Sequence, residues 1–286
     1  MARLSNISGR YLYVDFDGVE HRVYFEEAGQ GIPVLLQHTA GSDGRQWRHL
    51  LEDPELTQRF RFIAYDLPFH GKSVPPVGVE WWKEVYELHQ DHLIDMVVTI
   101  AQELGLERAI YMGCSMGGHL APDLALAHPG FFRAVVGIEG GLATHDEEPF
   151  NPYMWHPRVS DEMKQALMFT MMSPNSPEPH RREAAWYYAQ GGPAVHKGDL
   201  VYYLGEHDVT ETAKDIDTSK TMVYVLSGDY DWSATPDHCK ALADAIPGAK
   251  YVRMTDMGHF PMAEDPARFN AYAKEVLEEI AATRPS

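Results

Sequence analysis

The chain has 286 residues with 24 Lys+Arg against 42 Asp+Glu, a formal net charge of −18; 44% of it is hydrophobic and 11% aromatic. That content builds a sizeable core and excludes a disordered chain, while the acidity excludes a basic face for nucleic acid and opposes an anionic membrane surface. The expected partner is a neutral or apolar small molecule, with no nucleic acid and no membrane, and a homo-oligomer is left open. Two cysteines, Cys114 and Cys239, are too few for a disulfide scaffold or a zinc module. With no apolar leader and no run of about 18 apolar residues, we expect a soluble, cytoplasmic protein.

In chain order, β-rich runs at residues 11–16 and 21–26 flank Asp17-Gly18 and predict a hairpin. Short apolar runs at 33–37, 61–65, 109–112, 134–138, 222–226 and 251–253 predict buried strands, alternating with helical segments. Residues 82–104 carry Val85, Leu88, Leu93, Met96, Val97, Ile100 and Leu104 at three- and four-residue steps, ending at Gly105; residues 267–282 repeat the pattern. Strand and helix alternating in this way predict an α/β fold, a mostly parallel central sheet flanked by helices. Residues 142–218 break the alternation and are rich in Pro, Met, Trp and Tyr. They read as an insert over the C-terminal edge of the sheet, between core segments 1–141 and 219–286.

Gly113-Cys114-Ser115-Met116-Gly117 follows a predicted strand and precedes a helical segment, the context of a nucleophile elbow. Flanking glycines remove Cβ clashes at a strained turn, and the helix start presents free N–H groups to a developing anion. A serine hydroxyl needs a base and a group that orients the base. In the order serine, acid, histidine, two later strands end in polar clusters: Ser227-Gly228-Asp229-Tyr230-Asp231 and Met257-Gly258-His259-Phe260. His259 is the candidate base. Asp231, Asp229 and Glu139, the last following the strand at 134–138, are candidate acids that geometry must separate. One oxyanion donor is the Met116 N–H, next to the nucleophile.

These motifs together, with Pro33-Val-Leu-Leu-Gln-His38 and Asp66-Leu-Pro-Phe-His-Gly-Lys-Ser73, resemble the α/β-hydrolase-fold serine hydrolases over nearly the whole core. The resemblance implies Ser115 as nucleophile, Asp231 as acid, His259 as base, a lid over the site and no cofactor. It also implies a second oxyanion donor from the loop after His38, where Thr39 replaces the usual glycine and the donor is Ala40 or Thr39. Phe69 likewise stands where the family has glycine. His38 and His70 read as loop organisers, and Cys114 as a buried neighbour of the elbow. His89 and His92 lack a third ligand, so no metal is expected.

The segment 142–218 carries Phe150, Tyr153, Met154, Trp155, Met168, Phe169, Met171, Met172, Trp186, Tyr187 and Tyr188, a composition that suits an aromatic or medium-chain acyl group. Trp47, Trp155, Trp186 and Phe260 are the candidate substrate-binding residues. Three functions follow: hydrolysis of a carboxylic ester through an acyl-enzyme; C–C bond hydrolysis of acidic ring-fission products, with Arg158, Arg181 and Arg182 as the available cations; and a non-catalytic small-molecule receptor. A dehalogenase or epoxide hydrolase of this fold would carry aspartate where Ser115 stands.

Overall fold

The computed structural model describes residues 2–16, 18–76, 78–144, 162–192 and 195–283. Strands β1 (Ser8–Phe16) and β2 (Val19–Gly29) pair antiparallel from Ser8↔Glu27 to Phe16↔Val19, forming the predicted hairpin. Gly18 in its turn has φ 78°, while Asp17 lies outside the described residues. The remaining strands are β3 (Ile32–Gln37), β4 (Phe60–Tyr65), β5 (Ile110–Cys114), β6 (Ala134–Ile138), β7 (Met222–Gly228) and β8 (Lys250–Met254). They assemble in the order β1-β2-β4-β3-β5-β6-β7-β8, antiparallel through β4 and parallel from there on.

The helices among the described residues are α1 (Arg48–Leu51), α2 (Gln90–Glu103), α3 (Met116–Ala127), α4 (Glu162–Thr170), α5 (Glu178–Tyr187), α6 (Val195–Val201), α7 (Pro236–Ala245), α8 (Pro261–Glu264) and α9 (Pro266–Ala282). The two-residue period of a strand decides what each face meets. Leu35 and Val135 point into a core with Leu93, Leu120 and Leu242 of α2, α3 and α7. Val34, Leu36 and Val136 point the other way, onto Leu50, Phe269 and Leu277 of α1 and α9. No described helix is long and apolar enough to cross a membrane.

One helix is shorter than its periodicity predicts. α2 begins at Gln90 rather than near Trp82, and Trp82 and Val85 are exposed. The chain before it is held by α6 instead: Leu88 N–H donates to Gly198 O at 3.0 Å, and a Cβ on Gly198 would run into the Tyr86 ring. A tertiary contact therefore overrides the helical pattern there. The helix ends at Gly105, φ 64°, as expected.

Between β6 and β7, α4, α5 and α6 pack on the end of the sheet. Met168, Met171, Ala184 and Tyr188 form a small core of their own with Phe260. At its edge Glu183 of α5 takes a two-pronged hydrogen bond from Arg48 of α1 and another from Tyr187. Burial alone would raise the Glu183 carboxyl, but Arg48 and Tyr187 outweigh it and hold the group at about 2, below the ordinary 4.5. A carboxyl lowered in the folded chain binds fewer protons there than in the unfolded chain. Its contribution is thus present above pH 4.5 and is lost as pH falls through about 2. Glu183→Gln should therefore be less stable than wild type in urea unfolding at neutral pH, with a gap that narrows steadily as the pH is lowered below 4.5.

Candidate active site

Ser115 sits between β5 and α3 with φ 56° and ψ −115°, a conformation an L-residue adopts only under strain of roughly 1–3 kcal/mol. Close packing imposes it. A Cβ on Gly113 would lie 2.5 Å from Gly117 O, one on Gly117 2.7 Å from Gln37 Cγ, and one on Gly118 would collide with Ile138 O. Glycine at all three positions lets β5 turn sharply into α3 against β3 and β6. The turn is fixed by Ser115 N–H to Ile138 O at 2.9 Å and His119 N–H to Ser115 O at 2.9 Å. Met116 is the first residue of the helix, so its N–H has no acceptor within the helix.

His259 follows β8, and its Nδ1 lies 2.6 Å from Asp231 Oδ2, both side chains being buried. Asp231 Oδ1 accepts from Ser233 N–H at 2.8 Å. Burial works to raise the Asp231 carboxyl, yet His259 and the Ser233 and Ala234 N–H groups hold it below its ordinary value, so it stays ionised. Among the described residues, neither of the other two carboxylates bonds the imidazole. Asp229 pairs with Arg253 at the surface. Glu139 Oε1 accepts from Gly228 N–H at 2.7 Å; burial first, and then the charge of Asp231, push its carboxyl well above the usual range. Burial thus favours the uncharged form of Glu139, which braces the β7 turn.

The imidazole loop is itself held from two sides. Glu264 accepts from Gly258 N–H at 2.7 Å and from Ser173 N–H at 2.7 Å, and His259 N–H donates to Met171 O at 3.0 Å. Cys114 Sγ reaches His259 O at 3.2 Å from below. Burial drives the Cys114 thiol well above its ordinary value, which leaves it a packing group rather than a nucleophile.

Ser115 and His259 line one small cavity of about 30 Å³ together with Thr39, Ala40, Met168, Met171, Tyr188 and Phe260. In the loop after β3, Thr39 N–H is already bonded to Gln46 Oε1 at 3.1 Å and Gly41 N–H to Asp199 Oδ2 at 2.6 Å. Nothing among the described residues accepts from the Ala40 N–H between them. Of the two candidate donors, Ala40 is the one with a hydrogen still to give.

The family model described as the alpha/beta hydrolase fold matches residues 32–266. The chain belongs to that family. It is 23% identical to bifunctional epoxide hydrolase 2 of Rattus norvegicus over 87% of this chain and 52% of that protein, so it spans about half of that relative's length. It is 24% identical to 2-hydroxymuconate semialdehyde hydrolase of Pseudomonas sp. (strain CF600), over 90% of this chain and 91% of that one. Among solved structures, a thermophilic esterase from Thermogutta terrifontis superposes with a TM-score of 0.80 at 21% identity, covering 96% of this chain and 99% of that one.

Against the alpha/beta hydrolase pattern, Phe69 keeps the left-handed backbone that glycine suits, with φ 73°, and packs its ring 4.8 Å from Tyr86. His38 donates from Nδ1 to Thr39 O at 2.8 Å and accepts Leu67 N–H on Nε2 at 3.1 Å. Burial, and the neighbouring His70, push its pKa down to about 4, so it is a neutral loop brace.

Two of the candidate substrate-binding residues lie elsewhere. Trp47 is fully buried on the far face of the sheet against Phe269, drawn there by the α9 core. Trp186 is half exposed beneath the Arg45 guanidinium and does not line the cavity. Phe260 does line it, while Trp155, with Phe150, Tyr153, Met154 and Arg158, lies outside the described residues. Sequence reasoning missed Gln46, Asp199 and Glu264. Only Glu264 had a signal, its place in the motif that carries His259.

Proposed function

We propose that the protein is a serine hydrolase cleaving a carboxylic ester of a small, largely apolar or aromatic substrate. The observation that carries this is the 2.6 Å contact from His259 Nδ1 to Asp231 Oδ2, on a histidine that lines the same small cavity as Ser115. Ser115 attacks the ester carbonyl as His259 takes its proton; the carbonyl oxygen, now an anion, meets the Met116 N–H at the start of α3 and the Ala40 N–H in the loop after β3. His259 then protonates the departing alcohol, and an acyl group remains on Ser115. Water, deprotonated by His259, releases the acid by the same route. Asp231 stays ionised throughout and stabilises the imidazolium.

Residues 142–218 serve as the cap in this reading. Its Met168, Met171 and Leu200, with Phe260, supply the apolar part of the cavity wall. A space of about 30 Å³ is small for a substrate pocket, so an acyl group enters only as these adaptable side chains move. Small acyl groups should react fastest. Hydrolysis as the general class is supported by the family and by relatives with that chemistry in their names. An ester is favoured over an acidic ring-fission product because no arginine lines the cavity among the described residues: Arg181 stacks on Phe169 and Arg182 pairs with Glu178. p-Nitrophenyl esters of graded chain length, assayed beside a ring-fission dienoate, test this. Turnover that is highest for the shortest acyl groups is expected, and a dienoate that outruns every ester would overturn it.

A further inference from the structure

The Ala40 N–H is useful only if it points at the oxyanion, and the loop that carries it has no regular structure to aim it. A residue's orientation is fixed when the rigid peptide planes on both sides of its Cα are fixed. The plane before Ala40 is held at its carbonyl end, where Thr39 O accepts from His38 Nδ1 at 2.8 Å and from Ser42 N–H at 3.3 Å. The plane after it is held at its other end, where Gly41 N–H donates to Asp199 Oδ2 at 2.6 Å. Asp199 belongs to α6, in the segment between β6 and β7. Resting on the ester-hydrolase reading above, we infer that Asp199 is a positioning residue: through the Gly41 peptide it aims the Ala40 N–H, so docking of α6 and assembly of the oxyanion hole are one event.

Three further observations fit. Gly41 has φ 68°, and a Cβ there would lie 2.7 Å from His196 Cβ, so the loop presses directly against α6. Asp199 is fully buried and held on its other oxygen by Tyr86 O–H at 3.0 Å, which leaves the carboxylate no freedom to swing away. An anion this close would oppose a forming oxyanion unless neutralised, and His70 supplies the counter-charge. Its Nε2 lies 2.8 Å from Asp199 Oδ2 and its Nδ1 3.0 Å from Pro68 O, so both nitrogens face acceptors. Burial opposes that charge, but Asp199 outweighs burial and raises the His70 pKa. This gives His70, unused by the hydrolytic steps, a task.

The test compares wild type, Ser115→Ala, Asp199→Ala and the isosteric Asp199→Asn, using p-nitrophenyl acetate turnover and inhibition by phenylboronic acid, which forms a tetrahedral anion on the serine. Asp199→Ala should lower kcat by about 10²-fold and weaken phenylboronate inhibition by a similar factor, with KM nearly unchanged. Asp199→Asn, which keeps an oxygen for Gly41, should recover much of both. Unchanged boronate inhibition in Asp199→Ala would overturn the inference, as would an effect confined to KM. Unfolding of Asp199→Asn would overturn it too, by making the carboxyl a folding group. Failure of the ester reading itself looks different: wild type would then be inactive or Ser115→Ala active, and both proposals would fall together.

Discussion

Ser115→Ala should remove ester turnover by about 10⁴-fold or more while leaving the thermal midpoint nearly unchanged. The two expectations have separate causes. Turnover falls because the hydroxyl held at the elbow is gone and the neighbouring Cys114 cannot replace it, being buried behind the elbow with burial driving its thiol pKa well above the ordinary value. The fold is indifferent because the bonds that hold the turn are made by the Ser115 backbone, its N–H to Ile138 O and its carbonyl to His119 N–H, which alanine keeps. Alanine also meets the same backbone strain as serine, so nothing is released. Residual rate of this size over water would come from the oxyanion donors.

Asp231→Asn should lower kcat by about 10⁴-fold, because an amide cannot hold His259 in the tautomer that leaves Nε2 free to accept a proton, and cannot stabilise the imidazolium. Glu139→Gln is the control that decides between the two buried acids. Glu139 accepts Gly228 N–H through Oε1 in surroundings that favour its uncharged form, and glutamine keeps that acceptor without a charge. Its effect on kcat should stay within about tenfold. Steady-state kinetics of the two variants, at a pH where wild type is fully active, read the difference. A collapse in Glu139→Gln with Asp231→Asn active would move the acid to the other strand.

The sequence made the frame legible where local chemistry decides structure. Apolar runs fully buried on two faces gave β3 to β7 within a few residues, and the glycines around Ser115 marked a turn that sterics alone demand. The start of α2 was not legible, since the stretch before it follows α6 rather than its own periodicity. Trp47 was misplaced for a related reason: nearness in sequence to the loop at His38 says nothing about which face of the sheet the ring takes, and the α9 core claims it. The choice between Ala40 and Thr39 rests on Gln46, seven residues on, which takes the Thr39 N–H, and the next peptide is held by Asp199, far away in the chain. No local pattern announces such a pairing. Hydrogen bonds between distant side chains and loop peptides are set by the tertiary fold.

The central claim is that an acyl group passes through Ser115, and acid quenching during p-nitrophenyl acetate turnover tests it most directly. Mass analysis of the digested protein should find an acetyl group on the peptide carrying Ser115, matched by an initial burst of one p-nitrophenolate per chain. The same acetyl group on a peptide without Ser115, or an undiminished burst from Ser115→Ala, would contradict it.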